Sequence, residues 1–218
     1  KGSWAGILVE SNNVQNTLEF VEIRNAGGAA FNSNGDLGSI IMWSLSRLNM
    51  DNILVEKSAS YGLNMSYVDA NISIANSVIT DNDDVPVRTR ASFADGISAS
   101  NDFTGNAEDY VELISENISS GDHVWQNLNV PYLVTGNVIT FVGSASLTIE
   151  QGTTIEFGAD TGLETVDNNA HISADGTASA PITFTGESKV PGAWKGLLFD
   201  SNNVNNLLDH CIIEYTGS

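Results

Sequence analysis

The chain has 218 residues, 41% of them hydrophobic, enough to bury a core in one elongated domain or two compact ones. Eight Lys and Arg stand against 27 Asp and Glu, for a formal charge of −19. A surface of that sign repels nucleic acid and anionic membranes and excludes them as partners; its plain use is solubility. The single cysteine, Cys211, excludes an internal disulfide, and no apolar run is long enough for a membrane-spanning helix, so no membrane insertion is expected.

Residues 1–28 read KGSWAGILVESNNVQNTLEFVEIRNAGG, and residues 191–218 read PGAWKGLLFDSNNVNNLLDHCIIEYTGS. At an offset of 190, twelve of the 28 positions are identical. Two copies of one unit imply a repeat protein, and such repeats stack into solenoids. Trp4 and Trp194 each precede a glycine by two residues, as expected of a ring covering a corner where Gly6 and Gly196 allow close approach.

Along the chain, short β-branched and apolar runs alternate with Gly, Asn, Asp and Ser clusters: Leu18–Ile23, Ile53–Val55, Ile72–Ile79, Val138–Val142, Leu147–Ile149, Thr154–Phe157, Ile182–Phe184, Leu197–Phe199 and Cys211–Tyr215. Helical periodicity is nearly absent, so these runs predict many short strands. Residues 29–47 form an irregular piece with a turn at Asn34-Gly35. After it come three similar phrases, Leu48-x-Met50-x-Asn52-x-x-Val55, Ile72-x-Ile74-x-Asn76-x-x-Ile79 and Ile97-x-Ala99-x-Asn101-x-x-Thr104, whose Asn residues are 24 and then 25 apart. That period is one coil of a β-helix, each coil about 4.8 Å above the last. The alignment predicts Leu48, Met50 and Val55 stacked inside on Ile72, Ile74 and Ile79. It predicts a corner ladder of Asn52, Asn76 and Asn101, since Asn tolerates the left-handed bend and its amide can bond the coils above and below.

Residues 105–130 lack the coil spacing and read as an excursion or a join. From Pro131 onward, strands of about four residues are punctuated by glycines at 136, 143, 152, 158, 162, 176 and 186. The expectation is an all-β chain, a single right-handed parallel β-helix of about nine coils over residues 1–218, with irregular insertions near 29–47 and 105–130. In the repeated terminal unit, Phe20 and His210 take the corner position, and His210 reads as a corner residue rather than a ligand. Cys211, within Cys211-Ile212-Ile213, reads as a small buried hydrophobe.

The phrases LTIEQGTTIEF, GTASAPITFTG, PGAWKGLLFDSNNVNNLLDHCIIEYTG and DYVEL…VPYLVTG resemble those of secreted or cell-surface bacterial right-handed parallel β-helix repeat proteins. Gln151 stands where that family's phrase usually has Pro. The shared residues are the coil-forming ones. The resemblance therefore implies a fold and an extracellular or cell-surface setting, commonly within a longer polypeptide, and no particular activity.

Parallel β-helices also carry polysaccharide lyases and hydrolases, whose chemistry needs a basic proton abstractor, an Arg for the substrate carboxylate, and clustered acids. Only Arg88 and Arg90 fall near an acid cluster, Asp81-Asn82-Asp83-Asp84, and neither Gly-His-Gly nor Arg-x-Lys occurs. No cofactor is required. The one candidate ion is calcium, at Asp81, Asp83 and Asp84, against an Asx-rich turn carrying surface ion pairs. Tyr61, Tyr67 and Trp125 are the candidate sugar-stacking rings, each against a role as loop anchor or core residue. The expected function is a non-enzymatic, extracellular structural or adhesive module, a spacer and display surface. Its partners would be neighbouring repeats or other copies of itself end to end, and a bare sheet end would favour such stacking. The alternative is a carbohydrate-active or carbohydrate-binding β-helix with a Ca²⁺-dependent acidic groove near residues 81–109.

Overall fold

The computed structural model describes residues 1–31, 33–67 and 71–217. They fall into two compact units, residues 1–112 with 128–130, and residues 113–127 with 131–218.

In unit 1 the strands are three to five residues long, and three of them make a coil. These are β1 (Ile7–Val9), β2 (Thr17–Glu19) and β3 (Glu22–Arg24); then β4 (Ile40–Met42), β5 (Arg47–Asp51) and β6 (Leu54–Glu56); then β7 (Leu63–Met65), β8 (Asn71–Ala75) and β9 (Val78–Thr80); and finally β10 (Val87–Arg90). They stack as β1-β4-β7-β10, β2-β5-β8 and β3-β6-β9, and the pairings are parallel. Residues that alternate in sequence alternate between core and solvent, so each coil contributes a thin layer of core. Leu48 lies opposite Ile72, Met50 opposite Ile74 and Val55 opposite Ile79, all buried, in the register the spacing predicts.

The corner between the second and third strand of a coil is a single residue in the left-handed region: Phe20 (φ 53), Asn52 (φ 51) and Asn76 (φ 51). Here the next coil departs from the predicted alignment. Ile97 bridges to Ile74 rather than standing over Ile72, while Asp102 bridges to Val78. The stretch 97–102 is thus one residue longer than 74–78. The reason lies just upstream: residues Ala91–Gly96 form a 3-10 turn instead of a strand. Gly96 sits so close that a Cβ would meet the Ile72 carbonyl oxygen at 2.1 Å. Asn101 consequently stands over Ser77, and Ser100 stands over Asn76.

The two expected insertions shrink. Within 29–47, β4 is a core strand and β5 has begun, leaving 29–31 and 33–39 outside the strands. Within 105–130 lie β11 (Val111–Ile114), β12 (Asn117–Ile118) and β13 (Asp122–Trp125), with the division between the units falling inside β11. These strands are hard to see in sequence because each is at most four residues long and charged or polar residues interrupt the apolar ones. Val111, Leu113, Ile118 and Trp125 nonetheless point inward and are buried.

Unit 2 continues with β14 (Tyr132–Thr135), β15 (Val138–Phe141), β16 (Ser146–Ile149), β17 (Thr154–Phe157), β18 (Gly162–Thr165), β19 (His171–Asp175), β20 (Ile182–Gly186), β21 (Gly196–Phe199), β22 (Leu207–Asp209) and β23 (Cys211–Ile213). Its three faces are the parallel stacks β12-β15-β18-β21, β13-β16-β19-β22 and β14-β17-β20-β23. Phe184 lies opposite Ile155 and Phe157 opposite Gly186; the two Phe rings stack 6.5 Å apart, and Trp194 lies against Phe157 with ring centroids 4.2 Å apart and planes 6° from parallel. Each unit is a parallel β-helix.

Candidate functional site

The sequence singles out three groups of side chains, the Asn ladder, the acidic turn and the aromatics, and all but Trp125 lie in unit 1. The ladder exists in a different membership. Asn52 and Asn76 are exposed corner residues, and their amides both donate to the carboxylate of Asp51, at 2.7 Å each. Asn101 is buried on another column. Its Oδ1 accepts from Ser77 N–H at 3.0 Å, and its Nδ2 donates to the carbonyls of Ile74 (2.9 Å) and Ser98 (2.7 Å). Ser77 Oγ accepts from Ile53 N–H at 3.2 Å, so the column Ile53–Ser77–Asn101 runs coil to coil.

A third column was not foreseen. Ser58 N–H donates to Asn82 Oδ1 (2.9 Å), and both the N–H and the side-chain amide of Asn82 donate to Asn106 Oδ1 (3.2 and 2.8 Å). Asn106 in turn donates to the carbonyls of Ile79 and Phe103. The signal was present in the sequence: Ser58, Asn82 and Asn106 are 24 apart, like Asn52 and Asn76. It was hidden because Asn82 lies inside the acid cluster.

That cluster splits between an ion pair and a turn. Asp81 and Asp83 both meet Lys1 Nζ, at 2.9 and 2.8 Å, whereas Asp84 turns to cap Val85 N–H at 2.9 Å. Among the described residues, no three of His, Cys, Asp and Glu group as a metal-holding set. The amine of Lys1 sits where a cation would have to sit, and it holds the Asp81 carboxyl below the usual carboxylate range by its hydrogen bond.

The aromatics separate into core and surface. Trp125 is fully buried, tilted against Tyr132 at 5.6 Å, so it is a core ring and offers no face to a sugar. Tyr61 and Tyr67 are half-buried on the outer face of the β4-β7-β10 stack, where Ile41, Asn64 and Arg88 stand in one row. Residues 36 and 37 reach this face, and Asn64 Nδ2 donates to the Leu37 carbonyl at 3.0 Å. Asp36, nearly buried, accepts from Trp43 Nε1 (2.9 Å) and from the Tyr67 hydroxyl, and the Trp43 and Tyr67 rings lie 4.7 Å apart. Burial, and then the Asp36 carboxylate, push the Tyr67 phenol above its ordinary pKa.

Farther along the row, the Arg88 guanidinium lies 5.3 Å over the Tyr61 ring, donates to its hydroxyl at 3.3 Å, and pairs with Glu112 at 3.1 Å. Burial raises the Tyr61 pKa, partly countered by Arg88. Chemically, this face ties an insertion to the coil. Its one guanidinium in the row is already matched to a carboxylate and a ring.

Asp102 makes a titratable tie of the same kind. Its carboxylate accepts from Thr104 N–H (3.0 Å), the Thr104 hydroxyl (2.8 Å) and Asn129 Nδ2 (2.7 Å). The two Thr104 bonds chiefly, against desolvation, lower its pKa. A carboxyl held lower in the folded state stabilises above its unfolded pKa of about 4 and loses that contribution as pH falls through the folded value. Asp102→Asn should therefore lower the stability of unit 1 near neutrality and flatten its acid limb below about pH 4, so that the two proteins converge as pH falls. Urea titrations of both proteins across that range measure it, and parallel profiles would contradict the assignment.

Residues 117–212, largely in unit 2, match the family of pectate-lyase-like β-helix domains. Among curated proteins and among solved structures, none matches. The chain is thus a parallel β-helix repeat protein whose second unit is similar to the pectate-lyase-like β-helix domain.

Proposed function

We propose that the chain is a non-enzymatic structural module, a stiff scaffold that spaces or displays other surfaces outside the cell. The observation that carries this reading is how its polar side chains are used. Asn101, Asn82, Asn106 and Ser77 spend their amides and hydroxyls bonding one coil to the next. Arg88, the basic group best placed for uronate chemistry, is matched to Glu112 and Tyr61. Enzymes of this fold need a basic group poised for a substrate proton, and here the polar chemistry is directed to holding the stack. The negative surface suits a solvated scaffold.

A second reading is supported by the half-buried rings of Trp43, Tyr61 and Tyr67 on one outer face: weak binding of a polysaccharide by stacking. Incubation with acidic and neutral polysaccharides, with and without calcium, followed by product analysis and a glycan-binding assay, separates the readings. The scaffold reading expects no cleavage and no binding. Cleavage abolished by Arg88→Gln would overturn it, and binding abolished by Tyr61→Ala with Tyr67→Ala would establish the second.

A further inference from the structure

The coil of residues 191–217 repeats the corner and turn bonds of the coil of residues 1–27. Trp4 Nε1 donates to the Arg24 carbonyl at 2.9 Å, and Trp194 Nε1 to the Glu214 carbonyl at 2.9 Å. Asn16 Nδ2 donates to Ser11 O and Asn206 Nδ2 to Ser201 O, at 3.0 and 3.1 Å. Gln15 N–H bonds Asn13 Oδ1 as Asn205 N–H bonds Asn203 Oδ1. The left-handed positions coincide as well: Gly6 and Gly196 (φ 119 and 115), Phe20 and His210 (φ 53 and 46), Asn25 and Tyr215 (φ 60 and 60).

Opposite faces of these equivalent coils are covered. On residues 1–27, the following coil supplies Arg47 O as a second acceptor for Asn16 Nδ2 (3.0 Å), and its Arg47 and Asn49 N–H groups bond Ser11 O and Asn16 O. Met50 lies opposite Leu18 and Val55 opposite Ile23, which is only 3% exposed. On residues 191–217 that face is open. Among the described residues Asn206 Nδ2 has no second acceptor, and Leu208 and Ile213, the counterparts of Leu18 and Ile23, are 38% and 43% exposed. On the other face the roles reverse. Asn206 Oδ1 accepts from Ile172 N–H and Trp194 is 0% exposed, while Trp4 is 42% exposed.

We propose that the open face of coil 191–217 is a docking surface for another copy of this repeat, seated as residues 29–61 are seated on residues 1–28. The occupant follows from the structure itself, which already shows the chemistry that fits: an apolar pair like Met50 and Val55, and a carbonyl like that of Arg47 for the waiting amide. This deepens the scaffold reading by naming the scaffold's neighbour. One contact changes sign. Arg24 pairs with Glu56 at 2.7 Å, but its counterpart is Glu214, so docking sets two carboxylates near each other at an exposed edge. Added salt should therefore strengthen docking.

The test joins residues 29–218 directly after residue 218, with Cys211→Ser in the last copy, so that one thiol remains at the junction. In the 218-residue chain Cys211 is half-buried beside the open face. Docking should slow its modification by a disulfide reagent roughly tenfold or more, with a strand signal per residue equal to that of the single chain. Equal rates in the two chains would overturn the proposal, and so would a joined chain that loses its strand signal. Leu208→Asp with Ile213→Asp, at side chains already more than half covered by Ala174 and Phe184, should lower the melting of the single chain while keeping its strand signal, and should abolish thiol protection in the joined one. Persistent protection would mean that the shield lies elsewhere. Polysaccharide cleavage would sink the scaffold reading and leave this result untouched.

Discussion

Asn101→Ala should lower the unfolding free energy of unit 1 by about 2–3 kcal/mol, whereas Asn76→Gly should change it by less than about 1 kcal/mol. The two residues belong to similar phrases, but only one is surrounded. Removing the Asn101 amide orphans Ser77 N–H, whose acceptor is Asn101 Oδ1. It also strips one bond each from the carbonyls of Ile74 and Ser98, which keep their backbone donors Ser98 N–H and Asn101 N–H. A buried donor without a partner costs the full desolvation of that group, so Ser77 N–H dominates the loss. Asn76 instead projects into water from a left-handed corner that glycine adopts without strain, and it gives up one exposed bond to Asp51. Asn101→Asp discriminates further. The carboxylate keeps the bond from Ser77 but faces two carbonyl oxygens, so this nearly isosteric variant should be at least as damaging as alanine. Urea unfolding followed by circular dichroism measures all three, and equal effects of Asn101→Ala and Asn76→Gly would remove the ladder from the account of stability.

Much of the coil was legible in the sequence because a parallel stack repeats its core residues at the pitch of the coil. Leu48, Met50 and Val55 could be set against Ile72, Ile74 and Ile79 by spacing alone, and the structure pairs them so. The next rung escaped because the period is a property of the backbone path. Once residues 91–96 wind as a 3-10 turn, Ile97 enters one core position later than its phrase suggests, and every match by phrase is displaced. The strands at 111–125 escaped for the opposite reason: two to four residues of mixed apolar and polar character carry too little pattern to be told from a loop. The surface groups were the least legible. That Lys1 would reach Asp81 and Asp83, or that Asp36 would bind Trp43 and Tyr67, depends on contacts between residues as much as 82 apart, which no local pattern encodes. Trp125 shows the same limit. A tryptophan among polar neighbours reads as exposed until the strand that turns it inward is known.

Trp194→Ala should destabilise unit 2 by about 3–5 kcal/mol, while Trp4→Ala should cost unit 1 less than about half of that, although the two residues occupy the same place in the same repeat. Both indoles close a corner by donating to a carbonyl twenty residues ahead, and both lose that bond on truncation. They differ in what lies behind the ring. Trp194 is fully buried, stacked on Phe157 at 4.2 Å and packed against Gly186, so alanine leaves a cavity bounded by Phe157 and Gly186 that the stiff coil cannot collapse to fill. Trp4 has one face in water, so its removal creates little enclosed void and exposes a surface that is partly wet already. Trp194→Phe should recover much of the packing while still losing the bond to the Glu214 carbonyl, and so fall between alanine and the parent. Chemical unfolding of the three variants measures the order. If Trp4→Ala matched Trp194→Ala, the corner hydrogen bond rather than the stacked layer would be the stabilising element, and the difference in energy between equivalent coils would lose its physical basis.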